Sequence, residues 1–211
     1  MNVSPSKENI LKNIRKALTS STPLPFPQSE GNSSVFNPSK QELEIEFAEQ
    51  FTRLQGKFIY CLNKEELATR INELCAHLNW NRIFCKEQQL KSMIKDAGAS
   101  FVDYNDLATC DASITSCEAL IARTGSIMMT AASPSGRTTS VYAPVHICIA
   151  RSSQLVYDIR DALQMMKDKY KENLPSLITF ATGPSRTADI EKTLVVGVHG
   201  PKEVYCLLLQ D

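Results

Sequence analysis

The regular alternation of short apolar runs with amphipathic stretches constrains the fold of this chain more than any other feature. The runs KFIYCL (57–62), VHICIA (145–150) and VYCLLL (204–209) are almost wholly apolar, as in strands that are buried on both faces of a sheet. The intervening stretches, with apolar residues three and four positions apart, predict helices. We therefore predict an α/β fold with a mostly parallel sheet and helices on both faces. In such sheets ligands bind beyond the carboxyl ends of the strands, which points to the loops after Met129 and Thr182.

The first forty residues differ in character from the rest. Ser4-Pro5 opens a short helix, and an apolar stripe with helical spacing runs from Ile10 to Leu18. The next stretch, TSSTPLPFPQSEGNSSVFNPS (19–39), is rich in proline, serine and asparagine and predicts an extended arm. We therefore predict an N-terminal helical arm over residues 1–36 and one α/β domain over residues 37–211.

Charge and hydropathy restrict the classes of partner. Lysine plus arginine and aspartate plus glutamate number 23 each, so no net charge attracts nucleic acid or an anionic membrane. No apolar stretch approaches the roughly 20 residues that cross a bilayer, and the N-terminus lacks the apolar region of a secretory signal. We expect a cytoplasmic protein that binds no nucleic acid and has no membrane span.

The seven cysteines predict free thiols rather than a metal centre. They stand at positions 61, 75, 85, 110, 117, 148 and 206, without the close pairs that hold zinc or iron–sulfur clusters. An odd number of scattered thiols in apolar runs is typical of a reducing compartment. His77 and His146 fall in a helical and a strand pattern and share no ligand spacing. We expect neither a metal nor a cofactor in this chain.

The stretch TGPSRTADIEKTLVVGVHGP (182–201) concentrates turn residues and polar side chains between apolar runs. Its first turn, from Gly183 to Thr187, follows a predicted strand and can open a helix with Ser185 as N-cap. The N–H groups of a helix N-terminus bind anions, and Arg186 can add a bidentate contact to a carboxylate or phosphate. The alternative is an ordinary strand-to-helix turn, in which Arg186 pairs with an acidic residue of the helix.

The second turn of this stretch contains His199 between glycines. Next to Gly200 and just after an apolar run, a histidine can donate or accept a proton at the edge of a site. The alternative is a histidine that hydrogen-bonds backbone groups in a tight turn.

A third group of candidates lies in CEALIARTGSIMMTAASPSGRTT (117–139). Thr124, Gly125 and Ser126 form a turn between a predicted short helix and a strand, where glycine permits close approach of the backbone to a ligand. Glu118, predicted on that helix, is a nucleophile or base if burial raises its pKa, and a solvent-facing residue otherwise. Arg137, in the loop after the strand, is a second candidate for anion contact.

Together these motifs resemble the LUD-domain family, also called lactate utilization protein C. The resemblance runs from about Phe47 to Leu209 and rests on ARTGSIMMT, on Pro144-Val145-His146 ahead of a strand, and on the combined motif GPSRTADIE…GVHGP. The motif residues in this chain are Thr124, Gly125, Ser126, Gly183, Pro184, Ser185, Arg186, Thr187, Asp189, Glu191, His199, Gly200 and Pro201.

The resemblance implies a NagB/RpiA/CoA-transferase-like fold with a Rossmann-like α/β sheet. It also implies a cluster-free subunit that acts with two iron–sulfur partner proteins in oxidising L-lactate to pyruvate. On that basis we expect the two turns of 182–201 to line one cleft, in which Arg186 and the Ser185 backbone bind an anion such as a carboxylate. His199 and Asp189 then orient this group or move a proton. The remaining predicted binding residues are Thr124, Gly125, Ser126, Arg137, Gly183, Thr187, Glu191 and Gly200.

Two other functions stay open on the sequence alone. The fold group includes enzymes of CoA thioesters and sugar phosphates, and its CoA transferases use a catalytic glutamate, for which Glu118 and Glu191 are the candidates. The chain can instead be a non-catalytic adaptor that docks a partner through its N-terminal helix. A shared fold does not transfer chemistry, so the site has to decide between them.

Overall fold

The computed structural model describes residues 5–19, 38, 39, 41–101, 103–190 and 193–211. The chain divides into two compact units, Met1–Pro38 and Ser39–Asp211. In the first unit, α1 (Pro5–Leu18) is an amphipathic helix whose apolar stripe is exposed, with Leu18 79% accessible. Most of the predicted arm, residues 20–37, lies outside the described residues, and a domain boundary after residue 36 stays a prediction. None of the described helices is long and apolar enough to cross a bilayer.

The second unit contains five helices and eleven strands among its described residues. The helices are α2 (Leu43–Arg53), α3 (Lys64–Leu78), α4 (Gln88–Asp96), α5 (Thr139–Tyr142) and α6 (Ile159–Tyr170). The strands are β1 (Lys57–Cys61), β2 (Ile83–Phe84), β3 (Ala112–Thr115), β4 (Ala119–Ile121), β5 (Ser126–Thr130), β6 (Val145–Arg151), β7 (Leu155–Val156), β8 (Ile178–Ala181), β9 (Arg186–Ile190), β10 (Thr193–Val196) and β11 (Glu203–Leu209).

The larger sheet has five strands, all parallel, in the order β1-β11-β6-β3-β2. Its central strands, β6 and β11, are buried over almost their whole length, which explains why their sequences are continuously apolar. The predicted α/β fold with a mostly parallel sheet is confirmed.

Helices α3 and α4 cover one face of this sheet, where Leu67, Ile71 and Ile94 are fully buried. α3 begins where the sequence indicates, because the Asn63 side chain accepts a hydrogen bond of 2.8 Å from the backbone N–H of Glu66. Because α3 follows β1 and α4 follows β2, the amino ends of both helices lie near the carboxyl ends of the parallel strands.

The second sheet has the order β7-β4-β5-β8, and β5 runs antiparallel to both of its neighbours. Together with Phe47 and Phe51 of α2, it packs on the other face of the five-stranded sheet. The short helix predicted over this segment is only a 3-10 turn at Ala122–Thr124, and the prediction that Glu118 lies on it is wrong. Glu118 lies in the connection between β3 and β4, and the buried residues that follow it pair with β5 and β7. Pairing on both sides outweighs the local helix preference of these residues.

The helix predicted after Gly183 is also wrong. Arg186 begins β9, which forms an antiparallel hairpin with β10, where Arg186 lies opposite Val196 and Thr187 opposite Val195. The sequence RTADI offers no apolar stripe that a helix could bury, whereas the neighbouring run TLVV supplies a strand that satisfies its backbone groups.

Candidate functional site

The two turns of the 182–201 stretch are joined by backbone hydrogen bonds. The backbone N–H of Ser185 donates to the carbonyl of Pro201 at 2.9 Å, and the N–H of Gly197 donates to the carbonyl of Ser185 at 2.9 Å. The N–H of Lys202 bonds the carbonyl of Pro144 at 2.8 Å, and these two residues directly precede β11 and β6. The paired turns thus lie at the amino end of the parallel strands.

The turns at Gly183 and Gly125 pack closely against the end of α2. Gly183 has a φ of +87°, and a Cβ at this position would lie 2.5 Å from the carbonyl oxygen of Leu54. The guanidinium of Arg186 donates a hydrogen bond to the same oxygen. Gly125 has a φ of +58°, and a Cβ there would lie 2.5 Å from the backbone nitrogen of Phe51. Arg186 therefore satisfies a carbonyl that the helix leaves without an internal partner.

A chain of hydroxyl groups joins the turn at Gly125 to the turn at Gly183. Thr124 Oγ1 and Ser126 Oγ lie 2.8 Å apart, and Ser126 Oγ and Thr182 Oγ1 lie 2.8 Å apart. Ser126 is buried, so these hydroxyls satisfy one another at the start of β5.

The remaining predicted residues of this region give less evidence for a ligand site. His199 is exposed in the bend at 197–200. Gly200 packs against Ser185, and a Cβ added at Gly200 would lie 2.9 Å from the Cβ of Ser185. The backbone of Asp189 belongs to β9, while its side chain and the whole of Glu191 lie outside the described residues. The anion-binding role of the stretch stays a prediction.

A pocket of about 230 Å³ lies at the other end of β5. Its walls are the connection after β3, the loop after β5 and the last turn of α6. Of the two loops that the sequence singled out, the one after Met129 therefore lines a pocket. Hydroxyl groups dominate the lining and come from Thr115, Ser116, Thr130, Ser133, Ser135, Ser140 and Tyr170.

Glu118 is the charged centre of this pocket. Its carboxylate accepts hydrogen bonds from Lys169 Nζ at 2.7 Å, from Tyr170 Oη at 2.8 Å and from Thr130 Oγ1 at 2.9 Å. Burial alone would raise the pKa of Glu118, but these three donors stabilise the carboxylate and bring its pKa below the usual value. The raised pKa that would suit a general base is therefore absent, and Glu118 is ionised at neutral pH.

Glu87 fixes the loop that closes the pocket. Its nearly buried carboxylate accepts bonds from the backbone N–H of Ser116 at 2.9 Å and from the Ser116 hydroxyl at 2.5 Å. It also accepts bonds from the hydroxyls of Ser135 at 2.6 Å and Ser133 at 3.4 Å. Arg137 follows this loop, is exposed, and donates to Ser176 Oγ at 2.7 Å.

The structure thus divides the predicted site residues between the two ends of one strand. Ser126 and Thr130 are four residues apart in β5, which is about 13 Å at the rise of an extended strand. The 182–201 turns lie at the Ser126 end, because β8 is antiparallel to β5 and Ala181 lies opposite Ile127. Glu118 lies at the other end.

The sequence did not indicate Lys169, Tyr170 or Glu87 as members of a site. Lys169 and Tyr170 are spaced as ordinary residues of an amphipathic helix, and Glu87 resembles a solvated residue before a helix. The serine-rich loop after β5 was the one available signal. Within the described ranges, no group of three or more histidine, cysteine, aspartate or glutamate side chains could hold a metal ion.

Comparison with known proteins places these features in a family. The LUD domain family model matches residues 45–209. A lactate utilization protein C of Bacillus licheniformis is 31% identical over 118 residues, which are 55% of this chain and 49% of the relative. Another, of Anoxybacillus flavithermus, is 26% identical over 188 residues, which are 82% of this chain and 83% of the relative. In several of these curated relatives, as in the Bacillus protein, the match spans about half of the relative's length.

A solved structure shows the same fold. It is the crystal structure of a DUF162 family protein from Deinococcus radiodurans, with a TM-score of 0.61 and 20% sequence identity. The similarity covers 82% of this chain and 99% of that one. Since the family model spans most of the second compact unit, from the start of α2 to the end of β11, this chain belongs to the LUD-domain family.

Proposed function

We propose that this chain takes part in lactate utilisation, as a cluster-free subunit of a system that oxidises L-lactate to pyruvate. The observation that carries this proposal is the LUD-domain match over residues 45–209 together with relatives named lactate utilization protein C. The oxidation releases two electrons and two protons from each lactate. Iron–sulfur clusters in partner proteins would accept the electrons, while this chain would bind and orient the acid.

The pocket around Glu118 suits a small hydroxy acid. Its volume of about 230 Å³ lies below the roughly 300–1,000 Å³ of pockets that bind drug-sized ligands. Its hydroxyl groups can bond both oxygens of a carboxylate, and the ammonium of Lys169, which uses one donor on Glu118, has two further N–H donors. Because Glu118 is ionised, it accepts a hydrogen bond from the substrate hydroxyl and fixes which face of the acid is presented.

An alternative position for the acid is the pair of turns at the opposite end of β5. There Arg186 and the Ser185 backbone would bind the carboxylate, and His199 and Asp189 would orient it or move a proton. The proximity of the two turns favours this position, whereas the bonds from the Ser185 N–H to Pro201 and from Arg186 to the carbonyl of Leu54 oppose it.

Thermal unfolding of the full chain with added acids tests the proposal and separates the two positions. At one hundred times its dissociation constant, L-lactate should stabilise the fold by about 2.7 kcal/mol, and propionate, which lacks the hydroxyl, should stabilise it less. We expect Lys169→Met to abolish the lactate effect and Arg186→Ala to keep it. The reverse pattern would move the acid to the 182–201 turns.

The role within a larger system needs a separate test, because the chain alone carries no electron acceptor in this proposal. The chain would be combined with the iron–sulfur proteins of the same system and assayed for reduction of a dye by L-lactate. Omitting the chain should abolish dye reduction. Undiminished reduction without it would contradict the proposed role.

The exposed stripe of α1 favours a second role, as an adaptor. Ile10, Ile14 and Leu18 are about half or more exposed, and Lys12, Arg15 and Lys16 give the helix a basic character. Removing residues 1–36 should release the partner proteins while the acid-binding pocket keeps its affinity. A truncated chain that still assembles would exclude this role.

A further inference from the structure

A second and larger cleft opens at the carboxyl ends of the parallel strands. It has a volume of about 720 Å³ and lies between the ends of β6 and β11 and the amino ends of α3 and α4. This is where ligands bind in open α/β sheets, and the volume falls in the range of ligand pockets. None of the motif residues of the LUD-domain resemblance lines it.

The side chains that line this cleft carry a net positive charge. Lys64, Lys86 and Arg151 line it, and the one acidic side chain in its lining is Glu87. The Glu87 carboxylate is already engaged by serine donors of the neighbouring loops. The Arg151 guanidinium contacts Asp211 at 3.4 Å and the sulfur of Met93 at 3.9 Å. Among the described residues, no carboxylate lies within 4.0 Å of the ammonium of Lys64 or Lys86.

The rest of the lining offers an apolar wall and amide groups. Leu90 and Met93 of α4 face the cleft together with Leu209 of β11. Gln88 and Gln89, in the first turn of α4, add two side-chain amides beside this wall. A glutamine amide matches the N6 and N7 atoms of adenine, and an apolar wall matches the face of its ring. The cleft therefore combines groups for an anion with groups for an aromatic base.

We propose that this cleft binds the adenosine diphosphate group, either as a free nucleotide or as the corresponding part of coenzyme A. The diphosphate lies against Lys64, Lys86 and Arg151, and the base lies against the α4 wall beside Gln88 and Gln89. Lysine ammonium groups bind phosphates as point charges, and an arginine can add a bidentate contact.

The proposed nucleotide site adjoins the pocket around Glu118. Ser116, Cys117 and Pro134 line both cavities, so a ligand in the larger one lies next to the smaller one. The inference rests on the lining of the larger cleft and holds whether or not the smaller pocket binds lactate.

Titration calorimetry of the full chain with ADP, coenzyme A, adenosine and inorganic pyrophosphate tests the proposal. We expect ADP to bind, and adenosine and pyrophosphate to bind at least tenfold more weakly than ADP, because each lacks one half of the recognised group. Coenzyme A binding more tightly than ADP would identify the larger source, and weaker binding of coenzyme A would identify the free nucleotide.

A charge-matched pair of variants locates the binding. The double change Lys64→Gln with Lys86→Gln should weaken ADP binding at least tenfold, whereas Lys12→Gln with Lys16→Gln, on α1, should leave it unchanged. Unaltered thermal unfolding of both variants would show that the fold is kept, which exposed lysines permit. Lys169→Met should not affect ADP binding, so failure at one cavity is distinguishable from failure at the other.

Three results would overturn the proposal. The first is no heat from ADP or coenzyme A at millimolar concentration. The second is equal ADP affinity in the two double variants. The third is pyrophosphate binding as tightly as ADP, which would show that the base contributes nothing to binding at the α4 wall.

Discussion

The two ends of β5 carry similar residue types but differ in their packing. At the Ser126 end, Gly125 and Gly183 lie so close to the end of α2 that a Cβ on either would be 2.5 Å from its backbone. The hydroxyl groups at this end bond one another. At the Thr130 end, hydroxyls and Glu118 surround an open pocket. Glycine, serine and arginine in a turn therefore indicate either dense packing or a ligand site. What separates the two is whether the polar groups border an open cavity or are packed against neighbouring backbone.

The largest effect should come from filling the close approach at Gly125. In Gly125→Ala, the added Cβ meets the backbone of α2 at 2.5 Å, and alanine also adopts a positive φ, so we expect a loss of about 2–4 kcal/mol of unfolding free energy. Urea denaturation would measure it. Gly136→Ala is the matched control, since its φ is +65° and no atom lies within 4 Å, and it should cost only about 1 kcal/mol. Equal losses would show that the approach to α2 is unimportant.

The next effect concerns acid binding at the Thr130 end. Glu118→Gln keeps the shape of the side chain but removes the charge that accepts from Lys169 and Tyr170. In the proposed complex this charge also accepts a hydrogen bond from the lactate hydroxyl. Loss of such a charge-assisted hydrogen bond costs about 1.5–3 kcal/mol, so L-lactate affinity should fall roughly tenfold to a hundredfold. Calorimetry would measure it. His199→Gln, at the other end, should leave the affinity unchanged, and a loss there would reverse the assignment of the two ends.

A smaller effect should follow from Arg186→Ala. The variant loses the hydrogen bond to the carbonyl of Leu54 at the end of α2, and we expect a decrease of about 1 kcal/mol in unfolding free energy. Arg137→Ala, which loses a bond to Ser176 on the exposed surface, should cost less. If Arg186→Ala left stability unchanged but weakened lactate binding, the packing role of the Ser126 end would be wrong.

The smallest effect is a dependence on acid pH. The pKa of Glu118 is lowered in the folded chain, so its ionised form stabilises the fold above the ordinary value of 4.5 and this contribution disappears as the pH falls through the folded pKa. Glu118→Gln should therefore be less stable than the parent chain at pH 7, and the difference should shrink below pH 4.5. Urea denaturation at several pH values would show it. A difference that stays constant with pH would contradict the ionic role of Glu118.

The sequence predicted the parallel sheet well, because continuous apolar runs such as that of β6 are typical of strands buried on both faces. It failed just after Glu118 and at Arg186, where short segments form strands instead of helices. In both cases the deciding interaction is pairing with a strand that is distant or has no distinctive pattern of its own. Periodicity within five residues cannot report such a partner.

The site was less accessible to prediction than the fold. The loop after β5 was recognisable because it follows a buried strand, but Lys169 lies 51 residues from Glu118 in the chain. Only the packing of α6 beside β4 brings the two charges together. We predicted an anion site in the 182–201 stretch because its residue types are reactive. Their contacts with α2 cannot be recognised from the local sequence.

The Glu87 carboxylate has a mechanical consequence for the two cavities. Because it holds donors from Ser116, Ser133 and Ser135, the connection after β3 and the loop after β5 are tied to the start of α4 as one body. If α4 shifts around an occupant of the larger cleft, these bonds would pass the shift to the wall of the smaller pocket, and any such coupling would be reciprocal. The Glu87 carboxylate is thus the side chain that joins the wall of the larger cleft to the loops of the smaller pocket.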